Sequence, residues 1–123
     1  MKQLYKIISI SLIALSCKTL KNNQYEKLLK EYAFCKCVES ANEKDSIFKN
    51  DISKSIYIDI AHYNLNTYLL IDSIAHVYAL SIKPSIIYDH QGKRAIFLKC
   101  FEFFNSKTLD SLIKQNKDQI IAK

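Results

Sequence analysis

Glycine and proline are almost missing from this chain: of its 123 residues, one is Gly and one is Pro. β-Sandwiches, β-barrels and phosphate-binding loops need turn residues that accept positive φ angles, which glycine does most readily. This chain can supply few such turns. Long α-helices need no glycine along their length, and we therefore expect an all-α fold.

The chain begins with MKQLYKIISISLIALSC, which has the pattern of an export signal. Two lysines precede an apolar run from Ile7 to Ser16, and Ala14 with Ser16 forms the small-x-small pattern of a cleavage site. The run is too short to span a bilayer core of about 30 Å. We therefore predict a signal peptide at residues 1–16 and a mature chain that begins at Cys17.

Cys17 has two interpretations. The tetrapeptide ALSC resembles a lipobox, which would place a lipid on Cys17, although a typical lipobox has Leu where Ala14 stands. Ordinary cleavage after Ser16 would instead leave a soluble exported protein. In both cases residues 17–24 form a polar spacer, and residues 25–123 form a single domain, long enough for one core but too short for two.

The charge is mildly basic, +6 for the whole sequence and about +4 without the two lysines of the predicted signal peptide. No block of Lys and Arg is interleaved with aromatic residues in the manner of a nucleic-acid-binding surface. We expect the lysines to form a solvated face and expect no nucleic-acid partner.

Apolar residues at helical spacing predict a compact bundle of about five helices. Asn and Ser residues at suitable positions predict helix N-caps, and a helix should end before a proline because the preceding residue disfavours helical geometry. The predicted elements are a first helix from Tyr25 to Ala41, a second after Asp45 or Ser46, a third from Asn64 to about Ser81, a fourth over 94–104, and a fifth capped by Ser106.

Several apolar faces follow from the same spacing. On the first helix Leu29, Ala33 and Cys37 form an i+4 ridge. The second helix is rich in β-branched residues and could also be a strand, but a lone strand would have no partner. The predicted core faces are Phe48, Ile52, Ile56 and Ile60 on the second helix, Thr67, Leu70, Ile71, Ile74, Val77 and Tyr78 on the third, and Phe97, Cys100, Phe101 and Phe104 on the fourth.

The segment IKPSIIYDHQGK, residues 82–93, contains the single Pro, the single Gly and an Asp-His pair. It is the one long stretch between predicted helices with turn chemistry. We predict a protruding loop here, immediately before the fourth helix.

The four cysteines admit three kinds of chemistry. On a helix Cys35 and Cys37 would point about 200° apart, which does not suit joint metal binding. A Cys-His nucleophile would need oxyanion donors on a strand-borne framework, so we expect no enzyme, metal site or cofactor. An exported protein favours a disulfide between Cys37 and Cys100, worth roughly 4 kcal/mol in the chain-entropy model. Two buried free thiols are the alternative for this pair, and a Cys17–Cys35 bridge becomes possible if Cys17 carries no lipid.

Three segments carry a resemblance: LKEYAFCKCVES, SIYIDIAHYNLNTYLLIDSI and LKCFEFFNSKTLDSLIK. Together they resemble the immunity proteins of type VI secretion amidase effectors, the helical family cognate to the fourth amidase class. The similarity covers most of residues 28–115. The matching positions are Tyr32, Ala33 and Cys37 in the first motif and Lys99, Cys100, Glu102, Phe104, Ser106, Lys107, Leu109 and Asp110 in the last.

This resemblance implies a periplasmic, non-enzymatic inhibitor that forms a homodimer and occludes the groove of a papain-like peptidoglycan amidase. The family's protruding loop corresponds to residues 83–93 here, and a helix of the dimer mate assists it. We expect Tyr88, Asp89, His90 and Gln91 to contact the amidase.

The chain departs from the family where it reads AHYN in place of a glycine-bearing turn, and where Cys35 replaces a common Ser. A helical envelope lipoprotein with a structural or assembly role and no toxin partner is the alternative function. Gene context discriminates between the two, since an immunity protein is normally encoded beside its effector.

Overall fold

The computed structural model describes the backbone of residues 2–121 and the side chains of residues 21–121. Within this part of the chain the regular elements are α-helices and short 3-10 turns, and an isolated antiparallel bridge joins Tyr63 and Ile120. The all-α prediction is confirmed. The helices are α1 (Lys2–Ala41), α2 (Ser53–Ala61), α3 (Leu65–Leu80), α4 (Ile96–Phe104) and α5 (Lys107–Gln115).

The predicted signal peptide and Cys17 lie outside the residues whose side chains the structure describes. Lys21–Gln24 belong to α1 and are exposed, so the helix extends beyond the predicted start at Tyr25. These polar residues include neither glycine nor proline, and nothing in them ends a helix. No helix in the described chain combines the length and the apolar character that a membrane span requires.

α1 is the central helix, and α2, α3, α4 and α5 all pack against it. Leu29, Ala33 and Cys37 are fully buried, as their i+4 spacing predicts. Ion pairs flank this core: Lys30 of α1 contacts Asp110 of α5 with Nζ and Oδ1 2.7 Å apart. One helix therefore organises the whole core.

The second helical region differs from the prediction in its start and in its buried face. Asp45 caps a 3-10 turn (Ser46–Asn50), and α2 begins only after Asp51, which accepts hydrogen bonds from the Ser53 N–H and hydroxyl. This local bonding competes with a continuous helix. The predicted ridge is wrong as a core face: Phe48 is half-buried, and Ile52, Ile56 and Ile60 are 66, 49 and 43 % exposed.

The predicted face of α3 is also rotated relative to the structure. Leu70 and Val77 are exposed, whereas Ala75 and Ala79 are fully buried against the rest of the core. Because alanine has a short side chain, this face lets two helix backbones approach closely. The residues of α3 that are buried are Thr67, Tyr68, Ile71, Ala75 and Ala79.

On α4 the prediction is right for Cys100 and wrong for two phenylalanines. Phe97 and Phe101 are 65 and 55 % exposed, and Phe103 takes their place in the core. Its ring stacks on Tyr78 of α3 with the centroids 4.8 Å apart. Phe104 is half-buried.

The helix ends are largely as predicted. The Asn64 side chain accepts from the Thr67 N–H, and the Ser106 hydroxyl accepts from the Leu109 N–H. His62 ends α2 in the left-handed region at φ 55°, within the AHYN segment. A histidine tolerates this conformation less readily than glycine, and its ring packs edge-on against Tyr25.

Candidate functional site

The connection between α3 and α4 is closed at its base by backbone hydrogen bonds. The Ser85 N–H donates to the Lys93 carbonyl at 2.8 Å, and the Gly92 N–H donates to the Ser85 carbonyl at 3.3 Å. Gly92 has φ +80°, a conformation that suits glycine. The sole glycine of the sequence thus stands where the loop turns back on itself.

The tip of this loop is a 3-10 turn, Tyr88–His90. The His90 N–H donates to the Ile87 carbonyl at 2.9 Å, and the Lys93 N–H donates to the His90 carbonyl at 3.0 Å. Tyr88 is 90 % exposed, and Asp89, His90 and Gln91 are exposed beside it. The structure therefore brings the four predicted partner-binding residues together on one short, hydrogen-bonded turn.

Both ends of the loop are attached to the core. Ile82 is buried where the loop leaves α3. At the other end Arg94 donates from its guanidinium to the carbonyl of Ala41, at the C-terminus of α1. Cys100, one helical turn into α4, forms a disulfide with Cys37 of α1, as predicted. The loop between these attachments is exposed, apart from half-buried Ser85.

The disulfide removes Cys37 from any metal site with Cys35. Burial raises the pKa of the half-buried Cys35 thiol, and the nearby carboxylates of Asp51 and Glu31 act in the same direction. A nucleophilic cysteine needs the opposite shift, toward the thiolate. Cys35 therefore has a structural environment and not that of an activated nucleophile.

Asp72 and His76 lie four residues apart on α3 and contact different partners. Asp72 accepts a hydrogen bond from the Tyr32 hydroxyl, and the His76 Nδ1 lies 3.1 Å from a carboxylate oxygen of Glu43. Burial, and then the hydrogen bond to Asp72, raises the pKa of Tyr32 well above its usual range. Both side chains join α3 to the α1 region.

Comparison with known families provides the assignment. The chain matches the family model Tai4, described as "Type VI secretion system (T6SS), amidase immunity protein", over residues 27–113, which is most of its length. The chain belongs to this immunity family. Searches of curated proteins and of solved structures gave no match.

The positions that carry the immunity-family motifs are mostly structural. Tyr32, Ala33, Cys37 and Cys100 are buried, Ser106 caps α5, and Leu109 is fully buried. Lys99 and Glu102 pair with each other on the surface of α4 at 2.7 Å. The motifs therefore define the scaffold of an immunity-family protein, and the exposed loop lies outside them.

Two exposed apolar side chains of the loop are absent from the predicted contact residues. Ile86 is 96 % exposed and Ile87 is 62 % exposed, directly before the predicted quartet. Their position between the single Pro and the single Gly was the available signal, since both lie inside the segment that was predicted to protrude.

Proposed function

We propose that this protein is an immunity protein that binds a cognate peptidoglycan amidase and inhibits it by occluding the catalytic groove with residues 83–93. Membership of the amidase immunity family supports the class of partner. One structural observation supports the location: Tyr88–Gln91 are exposed on a turn whose backbone is already hydrogen-bonded. A preorganised loop loses less conformational entropy on binding than a flexible one.

The polar groups suit a groove that contains a Cys-His pair. Asp89 and His90 occupy adjacent positions at the turn, and between them they can accept and donate hydrogen bonds. A stable inhibitor must cover about 1,600 Å² of total surface, more than one loop supplies, so flanking helices contribute the rest. We propose that the chain is a homodimer, in which the mate supplies part of that area.

The decisive experiment replaces Tyr88, Asp89, His90 and Gln91 with Ala, Ser, Ala and Ser. We expect loss of inhibition of the amidase encoded by the neighbouring gene, measured as peptide-bond cleavage in peptidoglycan. The melting temperature should stay nearly unchanged, because none of these side chains is buried. Retained inhibition would show that the partner contacts another surface.

A matched control replaces four exposed residues of a different turn with the same Ala and Ser residues. A suitable set is Lys44→Ser, Ser46→Ala, Lys49→Ala and Asn50→Ser, since these residues are exposed around the 3-10 turn before α2. We expect this variant to inhibit like the unmodified protein.

We further propose that the protein acts in the periplasm and carries a lipid on Cys17. Mass spectrometry of the mature N-terminus tests cleavage before Cys17 and the lipid together. Cys17→Ser should release a lipid-anchored protein from the membrane fraction without changing inhibition by the purified domain. An unlipidated N-terminal Cys17 would leave the soluble periplasmic form.

A further inference from the structure

Two isoleucines and a tyrosine form an apolar tip on the loop, which we define as Ile86, Ile87 and Tyr88. They are 96, 62 and 90 % exposed. The isoleucines at the two ends of the same connection are less exposed: Ile82 is buried, and Ile96 is partly buried against the core. The tip residues are thus held away from a core that other isoleucines of the segment reach.

The backbone under the apolar tip is fixed by local hydrogen bonds. The Ile87 N–H donates to the Ser85 hydroxyl at 3.1 Å, and the Gln91 N–H donates to the Tyr88 carbonyl at 3.4 Å. These bonds, with the Ser85–Lys93 closure, hold the exposed side chains on a defined turn. A turn that is fixed in this way does not bury the tip by local collapse.

Basic residues flank the apolar tip in the sequence. Lys83 and Lys93 stand on either side of it and are exposed, and Arg94 follows. Among residues 21–121 no carboxylate forms an ion pair with Lys83 or Lys93. Asp89 is the only acidic residue between 83 and 94, so this segment has a net positive formal charge.

We propose that the apolar tip is the principal anchor of the partner interface, and that the partner presents an apolar socket bordered by acidic side chains. This inference rests on the proposed function and deepens it, because the polar quartet alone would leave Ile86 and Ile87 without a role. An anchor in a desolvated pocket carries most of the affinity of an interface, whereas charges around the rim mainly accelerate association.

Exposed apolar residues flanked by lysines could also bind an anionic membrane surface. The observations favour a protein socket for two reasons. Polar Asp89, His90 and Gln91 follow the tip on the same turn, and these groups need hydrogen-bond partners when water is displaced. The three apolar side chains also form a compact projection and not a long amphipathic face.

The central test is Ile86→Ser with Ile87→Ser in the full mature chain, with affinity for the neighbouring-gene amidase measured by calorimetry. Burying an isoleucine is worth about tenfold to a hundredfold in affinity, so we expect the pair to weaken binding by about a hundredfold or more. The matched control is Ile52→Ser with Ile56→Ser, two exposed isoleucines of α2. It should change affinity by less than about threefold.

A second pair of variants tests the two lysines that flank the apolar tip, Lys83 and Lys93. Lys83→Glu with Lys93→Glu should slow association by about tenfold or more and reverse its dependence on salt. Charge reversal at two exposed lysines elsewhere, Lys49→Glu with Lys117→Glu, should leave the association rate within about twofold of that of the unmodified chain.

The outcomes separate this inference from the proposed function. Loss of binding in the quartet variant with full binding of Ile86→Ser/Ile87→Ser would overturn the anchor and leave the proposed function intact. An equal loss of affinity in the α2 control, Ile52→Ser with Ile56→Ser, would also overturn the anchor. Salt-sensitive binding to phosphatidylglycerol vesicles that requires both isoleucines, without any effect on amidase affinity, would assign the tip to a membrane. No binding by the unmodified chain would overturn both proposals.

Discussion

The α1–α4 junction and the loop before α4 use apolar side chains in opposite ways. At the junction a disulfide joins buried Cys37 and Cys100, and buried Phe103 of α4 stacks on Tyr78 of α3. In the loop Ile86 and Tyr88 are almost fully exposed, and the backbone is held by hydrogen bonds. The junction contributes stability, and the loop contributes a surface. Substitutions in the two regions should therefore affect different measurements.

The largest expected effect is at Phe103. Phe103→Ala should lower the free energy of unfolding by about 3–5 kcal/mol, because it removes a buried ring and leaves a cavity beside Tyr78. Phe97→Ala, on the exposed side of the same helix, should change it by less than about 0.5 kcal/mol. Denaturant unfolding measures both, and equal losses would mean that α4 is rotated relative to this structure.

Removal of the disulfide should cause the second largest loss of stability. Cys37→Ala with Cys100→Ala should lower stability by about 2–4 kcal/mol, because the bond closes a 63-residue separation in the unfolded chain. Cys35→Ala is the control and should change thermal unfolding little, since Cys35 is a free, half-buried thiol. A comparable loss in the control would place Cys35 in a native disulfide.

Tyr32 tests the connection between α1 and α3. Tyr32→Phe should lower stability by about 1–2 kcal/mol, because the Asp72 carboxylate loses the hydroxyl donor that it faces. Asp72→Asn retains an acceptor and should have a smaller effect. A double-mutant cycle between the two positions measures the coupling, and a value of zero would argue against this hydrogen bond in solution.

Glu39 provides a pH-dependent prediction. Burial alone would raise the pKa of Glu39, but hydrogen bonds from Lys54 and Lys36 outweigh it and hold the pKa below its usual range. A lowered folded-state pKa adds stability above the unfolded pKa, and that stability is lost as the pH falls through the folded pKa. Glu39→Gln should therefore cost up to about 1 kcal/mol at neutral pH.

The pH profile of unfolding gives the check on Glu39. The difference between Glu39→Gln and the unmodified chain should shrink as the pH falls below the ordinary range of a glutamate carboxyl group. A difference that stays constant down to strongly acidic pH would mean that the amide change acts through packing and not through the carboxylate charge.

The smallest effect on stability is expected in the loop. Tyr88→Ala should change the free energy of unfolding by less than about 0.5 kcal/mol, since its ring is 90 % exposed. Its effect on amidase inhibition should be large. A clear loss of stability would show that the tip packs on the domain and would weaken the contrast between the two regions.

The position of the loop could be predicted from the residues, but the exposure of its individual side chains could be predicted only in part. Pro84 and Gly92 mark the ends of the loop because each has backbone chemistry that helices exclude. Nothing in the one-dimensional pattern separates Ile86 and Ile87, which are exposed, from Ile82, which is buried. An apolar residue beside a turn has the same composition signal in either environment.

Features that depend on local backbone chemistry could be predicted from the residues alone. Scarce glycine and proline predicted the helical class, and Asn64 and Ser106 predicted two helix starts. Cys37 and Cys100 lie on apolar ridges, which predicted their pairing across the core.

Which apolar faces are buried depends on how the helices pack together. α2 and α3 have more apolar residues than one buried face can hold, so spacing alone leaves several orientations open. Ala75 and Ala79 of α3 face the core, because small side chains allow close contact between helices. Ile52 and Ile56 of α2 remain exposed to solvent.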